Sequence, residues 1–142
     1  GFVSFVQERK NTLLKQKQTA IMCALSGMAA LDIKFGAASM GVSSDLTKAY
    51  HAAKEILLDN GIGGFDLYNP EYDCSHSLLS KQEQMISAML HRYYQKAKGC
   101  LASNREFLDQ IAISLAQKKL LTGKDIQRTR QNCALHKMEE VI

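Results

Sequence analysis

The stretch Leu25-Ser26-Gly27-Met28-Ala29-Ala30-Leu31-Asp32, followed by Phe35-Gly36 and by Gly41-Val42-Ser43-Ser44-Asp45-Leu46, decides how this chain folds. It reads as the end of a helix rich in small residues, a glycine-containing loop, and the start of a second helix with a carboxylate in its first turn. A carboxylate in that position is preorganised, because the free N–H groups and the positive end of the helix dipole stabilise negative charge there. The oxygen of Asp45 can cap its own helix, or it can face outward to a metal ion.

Working outward, the helix before the loop spans residues 12–35, with Ile21, Ala24, Leu25, Met28, Ala29 and Ile33 recurring mostly at spacings of three and four. Gly27 and its neighbouring alanines would admit a close helix, and Gly36 is placed to end this one with a left-handed cap. The helix after the loop opens at Ser43 to Asp45, carries Leu46, Ala49, Tyr50, Ala53, Ile56 and Leu57 inward, and stops at Asn60-Gly61. Turn residues crowd positions 61–74, which read as a loop or a short hairpin. Ser80-Lys81-Gln82-Glu83 has capping-box spacing and introduces a long helix lined by Ile86, Leu90, Tyr93, Ala97 and Leu101. Ser103-Asn104-Arg105-Glu106 and Thr122-Gly123-Lys124-Asp125 repeat the device ahead of two shorter helices, the last running to about His136. Phe2, Val3, Phe5 and Val6 suit a short strand over residues 1–6. The expected architecture is one mainly α domain over residues 1–142, of helical peptidase type, with one short N-terminal strand and antiparallel neighbours.

Composition supports a single folded domain: 142 residues, 46% hydrophobic, 23% charged, and one proline. The net charge of +4 arises from 18 basic and 14 acidic residues spread along the chain, so no block marks a nucleic-acid or membrane surface. Nucleic acid is not an expected partner. Cys23, Cys74, Cys100 and Cys133 form neither a C-x-x-C pair nor a dense scaffold, which fits a reducing compartment, and Cys23 and Cys100 read as buried thiols. No run approaches the ~20 apolar residues that span a bilayer, and no signal peptide opens the chain, so a soluble chain is expected. Gly1 is not a natural start, which suggests a piece of a longer protein.

For catalysis, a zinc hydrolase needs three protein ligands and an open position for water. There is no H-E-x-x-H, and His51, His76, His91 and His136 are isolated, with no pair at helical i, i+4 spacing. His51 and His91 read as surface or partly buried structural residues, while His76 lies in a loop with Asp73 and Cys74 without further ligands. Neither a G-x-S-x-G turn nor a G-x-x-x-x-G-K-[ST] phosphate loop occurs. These residues alone do not complete an active site.

The opening stretch resembles the proteolytic domain of the FtsH family, the membrane-anchored ATP-dependent zinc metalloproteases. That family shows a small-Gly-Arg-x-Ala-Glu-Glu helix end, a Phe-Gly, and a Thr-Gly-Ala-Ser-Asn-Asp-Leu before a helix. Here Ser26-Gly27-Met28-Ala29-Ala30-Leu31-Asp32, Phe35-Gly36 and Met40-Gly41-Val42-Ser43-Ser44-Asp45-Leu46 stand in the same order. Gly61-Ile62, Asn104-Arg105 and Leu120-Leu121-Thr122-Gly123-Lys124-Asp125-Ile126 extend the likeness over most of residues 1–129.

The resemblance implies that Asp45 is the third zinc ligand, joining two histidines of an H-E-x-x-H helix that lies outside this sequence, as does an ATPase module using ATP. It implies the C-terminal portion of an FtsH-like peptidase domain, hydrolysing unfolded or membrane protein substrates in a homo-oligomeric ring, a hexamer by family resemblance. The parent would be membrane-anchored, with this part on the cytoplasmic or equivalent reducing side, and the piece alone inactive. Met28 replaces the family's Arg and Leu31 the first of its paired Glu, so an ion pair built from those groups is missing or replaced. Those two changes favour an alternative, a non-catalytic helical assembly module of pseudoprotease type on the same scaffold, for which methionine-rich and small-residue faces suit packing between subunits.

Overall fold

The first helix is set by a line of buried residues four apart. In α1 (Leu14–Phe35), Ile21, Leu25 and Ala29 are almost completely buried, and the opposite face, with Cys23 and Gly27, is open to solvent. Gly36 ends the helix with φ +63°, a left-handed conformation that costs glycine little, and its N–H donates to the Asp32 carbonyl at 2.9 Å. The computed structural model describes residues 14–36, 43–59 and 75–136. The expected strand over residues 1–6, the loop over 61–74 and Cys74 lie outside the described residues.

α2 (Ser43–Lys54) lays Ala49 and Ala53 against α1, then passes into a π-helical turn, Glu55–Asp59. Alanine on the α2 side, facing Ile21 and Leu25, allows the two helices to approach closely. The wider turn holds Ile56 in the core with Leu57 and Leu58 beside it. The expected helix through residue 60 therefore changes type at Glu55.

α3 (His76–Ser103) closes the core with Ile86, Tyr93 and Ala97, and Gln82 is buried on the same helix. It starts one turn before the capping box expected at Ser80. Ser75 is the N-cap, its hydroxyl accepting from the Leu78 N–H at 3.2 Å, so Ser80 and Glu83 lie inside the helix. α4 (Arg105–Lys118) lacks the expected box as well: Asn104 is its N-cap without a side-chain cap bond. The Asn104 amide is occupied elsewhere, accepting from the His136 N–H at 2.8 Å and donating to the His136 carbonyl at 3.1 Å. In α5 (Gly123–Asn132) the expected box does form. Thr122 Oγ1 accepts from the Asp125 N–H at 3.3 Å, and Asp125 Oδ2 accepts from the Thr122 N–H at 2.9 Å. That helix stops short of the expected His136, because the backbone turns extended at Cys133.

The fold is mainly α, with no strand among the described residues. Its core lies between α1, α2 and α3, whereas α4 and α5 have no buried residue of their own. Two expectations are corrected. Cys23 is exposed because it lies on the face opposite the buried line of α1, and Cys100, which follows Tyr93 and Ala97 on their face of α3, is only partly covered in the last turn of that helix. The close helix approach uses Ala49 and Ala53, not Gly27, whose absent Cβ would meet nothing within 4 Å.

Gly27→Ala in the 142-residue chain is therefore expected to stabilise it by about 0.5–1 kcal/mol, the backbone-entropy gain of removing a mid-helix glycine. Ile86→Ala is expected to cost about 2–5 kcal/mol, the usual range for a large aliphatic side chain deleted from a packed core. Urea denaturation with unchanged m-value checks both.

Candidate functional site

Asp45 stands in the first turn of α2, two residues after Ser43. Its side chain is half exposed, and Lys48 Nζ, one turn on, donates to Oδ1 at 3.1 Å. Thr47 spends its hydroxyl on the Ser43 carbonyl at 2.9 Å. Among the described residues, Asp45 Oδ2 takes no hydrogen bond, so the carboxylate keeps an oxygen free beside the positive end of its helix.

The histidines are not gathered around it. His51 is exposed, its ring meeting Tyr50 edge to face at 5.9 Å, and His76, His91 and His136 are also exposed on separate turns. Among the described residues no three His, Cys, Asp or Glu side chains converge where a metal could sit. The donor set fits zinc in one respect only: Asp45 can supply a single oxygen ligand, and the remaining ligands of a tetrahedral site would have to come from elsewhere.

A second charged group is better built. At the end of α1, Asp32 Oδ2 accepts from Tyr94 Oη at 2.7 Å and from Lys98 Nζ at 2.6 Å, both on α3. The Lys98 and Tyr94 hydrogen bonds hold the Asp32 carboxyl below its ordinary value, and the same carboxylate raises Lys98 and Tyr94 above theirs. Lys34 Nζ lies 2.8 Å from Asp109 Oδ1 of α4, tying the same end of α1 to a third helix. Sequence reading missed this clamp. Its signal was a Tyr and a Lys one turn apart on α3, able to converge on an acid that opposes the negative end of its own helix.

α1, α2 and α3 also enclose an open groove of about 430 Å³. Leu25 and Met28 of α1, Leu46 and Tyr50 of α2, and Ile86 and Leu90 of α3 line it. Leu46 is the residue after Asp45, so the groove begins beside the carboxylate. No helix among the described residues is long and apolar enough to cross a membrane.

Residues 1–129 match the model of peptidase family M41. The chain belongs to that family. It is 27% identical over 136 residues to the ATP-dependent zinc metalloprotease FtsH of Opitutus terrae, covering 90% of this chain and 22% of that protein. Against the ATP-dependent zinc metalloprotease FtsH of Thermus thermophilus the identity is 24% over 158 residues, covering 96% of this chain and 25% of that protein. A 94-residue match at 31% identity is to FTSHI 5 of Arabidopsis thaliana, named a probable inactive ATP-dependent zinc metalloprotease, and covers 61% of this chain and 7% of that protein. The chain thus spans about a quarter or less of the length of these M41 relatives. Within the M41 chain, Met28 contributes to the groove wall instead of an ion pair, and the charge at this helix end is carried by Asp32 with Lys98.

The clamp has a pH signature. Asp32, depressed below 3.8, contributes stability that is present above that value and lost as pH falls through its folded value. Lys98 and Tyr94, raised above 10.5 and 10.0, contribute stability that is present below those values and lost as pH rises through their folded ones. Asp32→Asn is expected to lower the urea midpoint at pH 7 and to flatten the acid limb of the stability profile. A variant with the wild-type acid limb would show that the clamp contributes nothing.

Proposed function

We propose that this chain is the C-terminal part of an FtsH-type peptidase domain, in which Asp45 supplies the third protein ligand to a catalytic zinc. The other two ligands are the histidines of an H-E-x-x-H helix outside these 142 residues. The observation that supports the reading is the position of Asp45 in Gly41-Val42-Ser43-Ser44-Asp45-Leu46, a stretch that resembles the family's ligand-bearing segment, within a chain matched to family M41 over residues 1–129. Its half-exposed carboxylate at a helix start, with one oxygen unengaged by the described residues, is chemically suited to that role. Zinc in such a site would activate water for peptide hydrolysis.

What this chain's own residues do follows from their placement. The first turn of α2 directs the carboxylate, and Lys48 balances part of its charge. The packing of α2 on α1 fixes where that turn stands. The intact protein would use ATP through a separate ATPase module, act on unfolded or membrane proteins, and assemble as a homo-oligomeric ring, a hexamer in this reading. It would be anchored in a membrane with this part on the reducing side.

A second reading has two specific observations behind it. Met28 and Leu31 stand where the resemblance puts the family's Arg and first Glu, and a relative sharing 31% identity over 94 residues is named a probable inactive protease. In that reading the chain is a helical assembly module of a pseudoprotease and Asp45 only favours its own helix.

Asp45→Asn in the full-length protein separates the two. Loss of peptidase activity and of bound zinc is expected, with ATP hydrolysis retained and stability lowered by no more than about 1 kcal/mol, the worth of an acid in the first turn. Normal peptidase activity and zinc content would overturn the ligand assignment.

A further inference from the structure

We propose that α5 carries a docking face for an extended, acidic segment of an unfolded polypeptide. Residues 118–130 hold five basic side chains, Lys118, Lys119, Lys124, Arg128 and Arg130, against one acidic, Asp125, an excess equal to the +4 of the whole chain. Along the sequence Leu, Thr and Gln interrupt them. The helix removes that interruption. Asp125 and Thr129 are partly covered on one side of α5, and Lys124, Gln127, Arg128 and Gln131 stand together on the opposite, exposed side. With Thr122 and Gly123 these four line an open depression of about 810 Å³.

The chemistry of this face selects its occupant. The one acid of the stretch is spent, since Asp125 accepts from Lys118 at Oδ1 and from the Thr122 N–H and hydroxyl at Oδ2, and among the described residues Lys124 and Arg128 pair with no carboxylate. Lys124 also stands in the first turn of α5, where the positive end of the helix dipole opposes a cation, so stability is given up at this position. Gln127 and Gln131 lie between the cations, and their amides take no hydrogen bond among the described residues. An amide donates and accepts, whereas a phosphate only accepts, so the glutamines are matched by peptide N–H and C=O groups. A helical partner has already spent those groups; an extended segment offers them. The spacing agrees. Lys124 and Arg128 are separated by about 6 Å along the helix axis at 1.5 Å per residue, and alternate residues of an extended chain point the same way about 6.6 Å apart. Carboxylates at i and i+2 therefore meet both cations, and Arg128 can grip one of them with two hydrogen bonds. α5 has no aromatic ring on which bases could stack, and this face has no apolar residue to enter a lipid surface. The unfolded substrate as source rests on the peptidase reading, while the docking itself depends on α5 and not on Asp45.

The test is photo-crosslinking on the full-length protein carrying Asp45→Asn, with adducts mapped by mass spectrometry. The probe is a short peptide with glutamates at alternate positions, a proline that prevents helix formation and a terminal benzophenone, compared with its glutamine counterpart. The acidic peptide is expected to mark residues 119–132, less so as salt is raised. Lys124→Glu and Arg128→Glu should each lower that yield about tenfold or more, as a charge-assisted contact becomes a repulsion. Lys54→Glu, at an exposed cation on α2, should leave it unchanged. Because an acid in the first turn favours its helix, Lys124→Glu should keep or raise the thermal midpoint, so a lost adduct is not a lost fold. Adducts only outside α5, equal yield from the glutamine peptide, wild-type yield in Lys124→Glu, or full competition by a DNA oligonucleotide or by phosphatidylglycerol vesicles at equal charge would each overturn the docking face. Cleavage of the probe by the Asp45→Asn protein would count against the zinc reading alone, since the benzophenone end still reports where it docked.

Discussion

Everything described in this chain depends on the burial of one line of α1. Ile21, Leu25 and Ala29, four residues apart, form a stripe that α2 and α3 must both cover, and the two helices do so with different chemistry. α2 brings alanines and comes close; α3 brings Ile86 and Tyr93 and fills the space that remains. Apolar area removed from water is worth about 25 cal/mol per Å². Three helices sharing one stripe therefore gain far more from their mutual contact than any ion pair on the surface adds. α4 and α5, which bury nothing of their own, are held by directional contacts instead: Lys34 with Asp109, the Asn104 amide on the His136 backbone, and Lys118 with Asp125.

Around that core, charges mark where the helices begin and end. Lys17 of α1 pairs with Glu55 at the π-helical turn, and Asp32 at the other end of α1 is held by Tyr94 and Lys98. These contacts bracket the helix that precedes Asp45. A carboxylate proposed as a metal ligand needs firm support, and α1, buried at Ile21, Leu25 and Ala29 and paired near both ends, would provide it for the α2 helix packed on it. Lys118 and the Thr122 hydroxyl and N–H keep the Asp125 carboxyl well below the ordinary carboxylate range, so the capping box of α5 persists under mild acid.

The sequence was most legible where a pattern and a physical requirement coincide. Ile21, Leu25 and Ala29 are readable because a 3.6-residue period puts them on one face. Gly36 is readable because a left-handed cap favours glycine, and Thr122 with Asp125 because the box needs both partners at that spacing. Ser80 with Glu83 and Ser103 with Glu106 have the same spacing and do not cap. Ser75 starts α3 a turn earlier, and Asn104 takes the cap position while its amide is committed to His136. Spacing defines a competent pair; where the helix starts is decided by which competitor wins. Tyr94 and Lys98 were invisible as partners of Asp32 because nothing local links positions 62 and 66 residues apart. Asp45 was legible as a residue of interest from its place at a helix start, but only the resemblance favoured the ligand reading, since a lone acid in a first turn serves equally as a helix stabiliser.

In the proposed reading Asp45 supplies one ligand of a metal centre whose other protein ligands are imidazoles. The direct test is X-ray absorption at the zinc edge of the full-length protein. The expected spectrum has a first shell of nitrogen and oxygen only, with outer-shell scattering from two imidazoles. A shell containing sulfur, a shell with three or more imidazoles and no carboxylate, or a purified protein with no zinc at all would contradict the account.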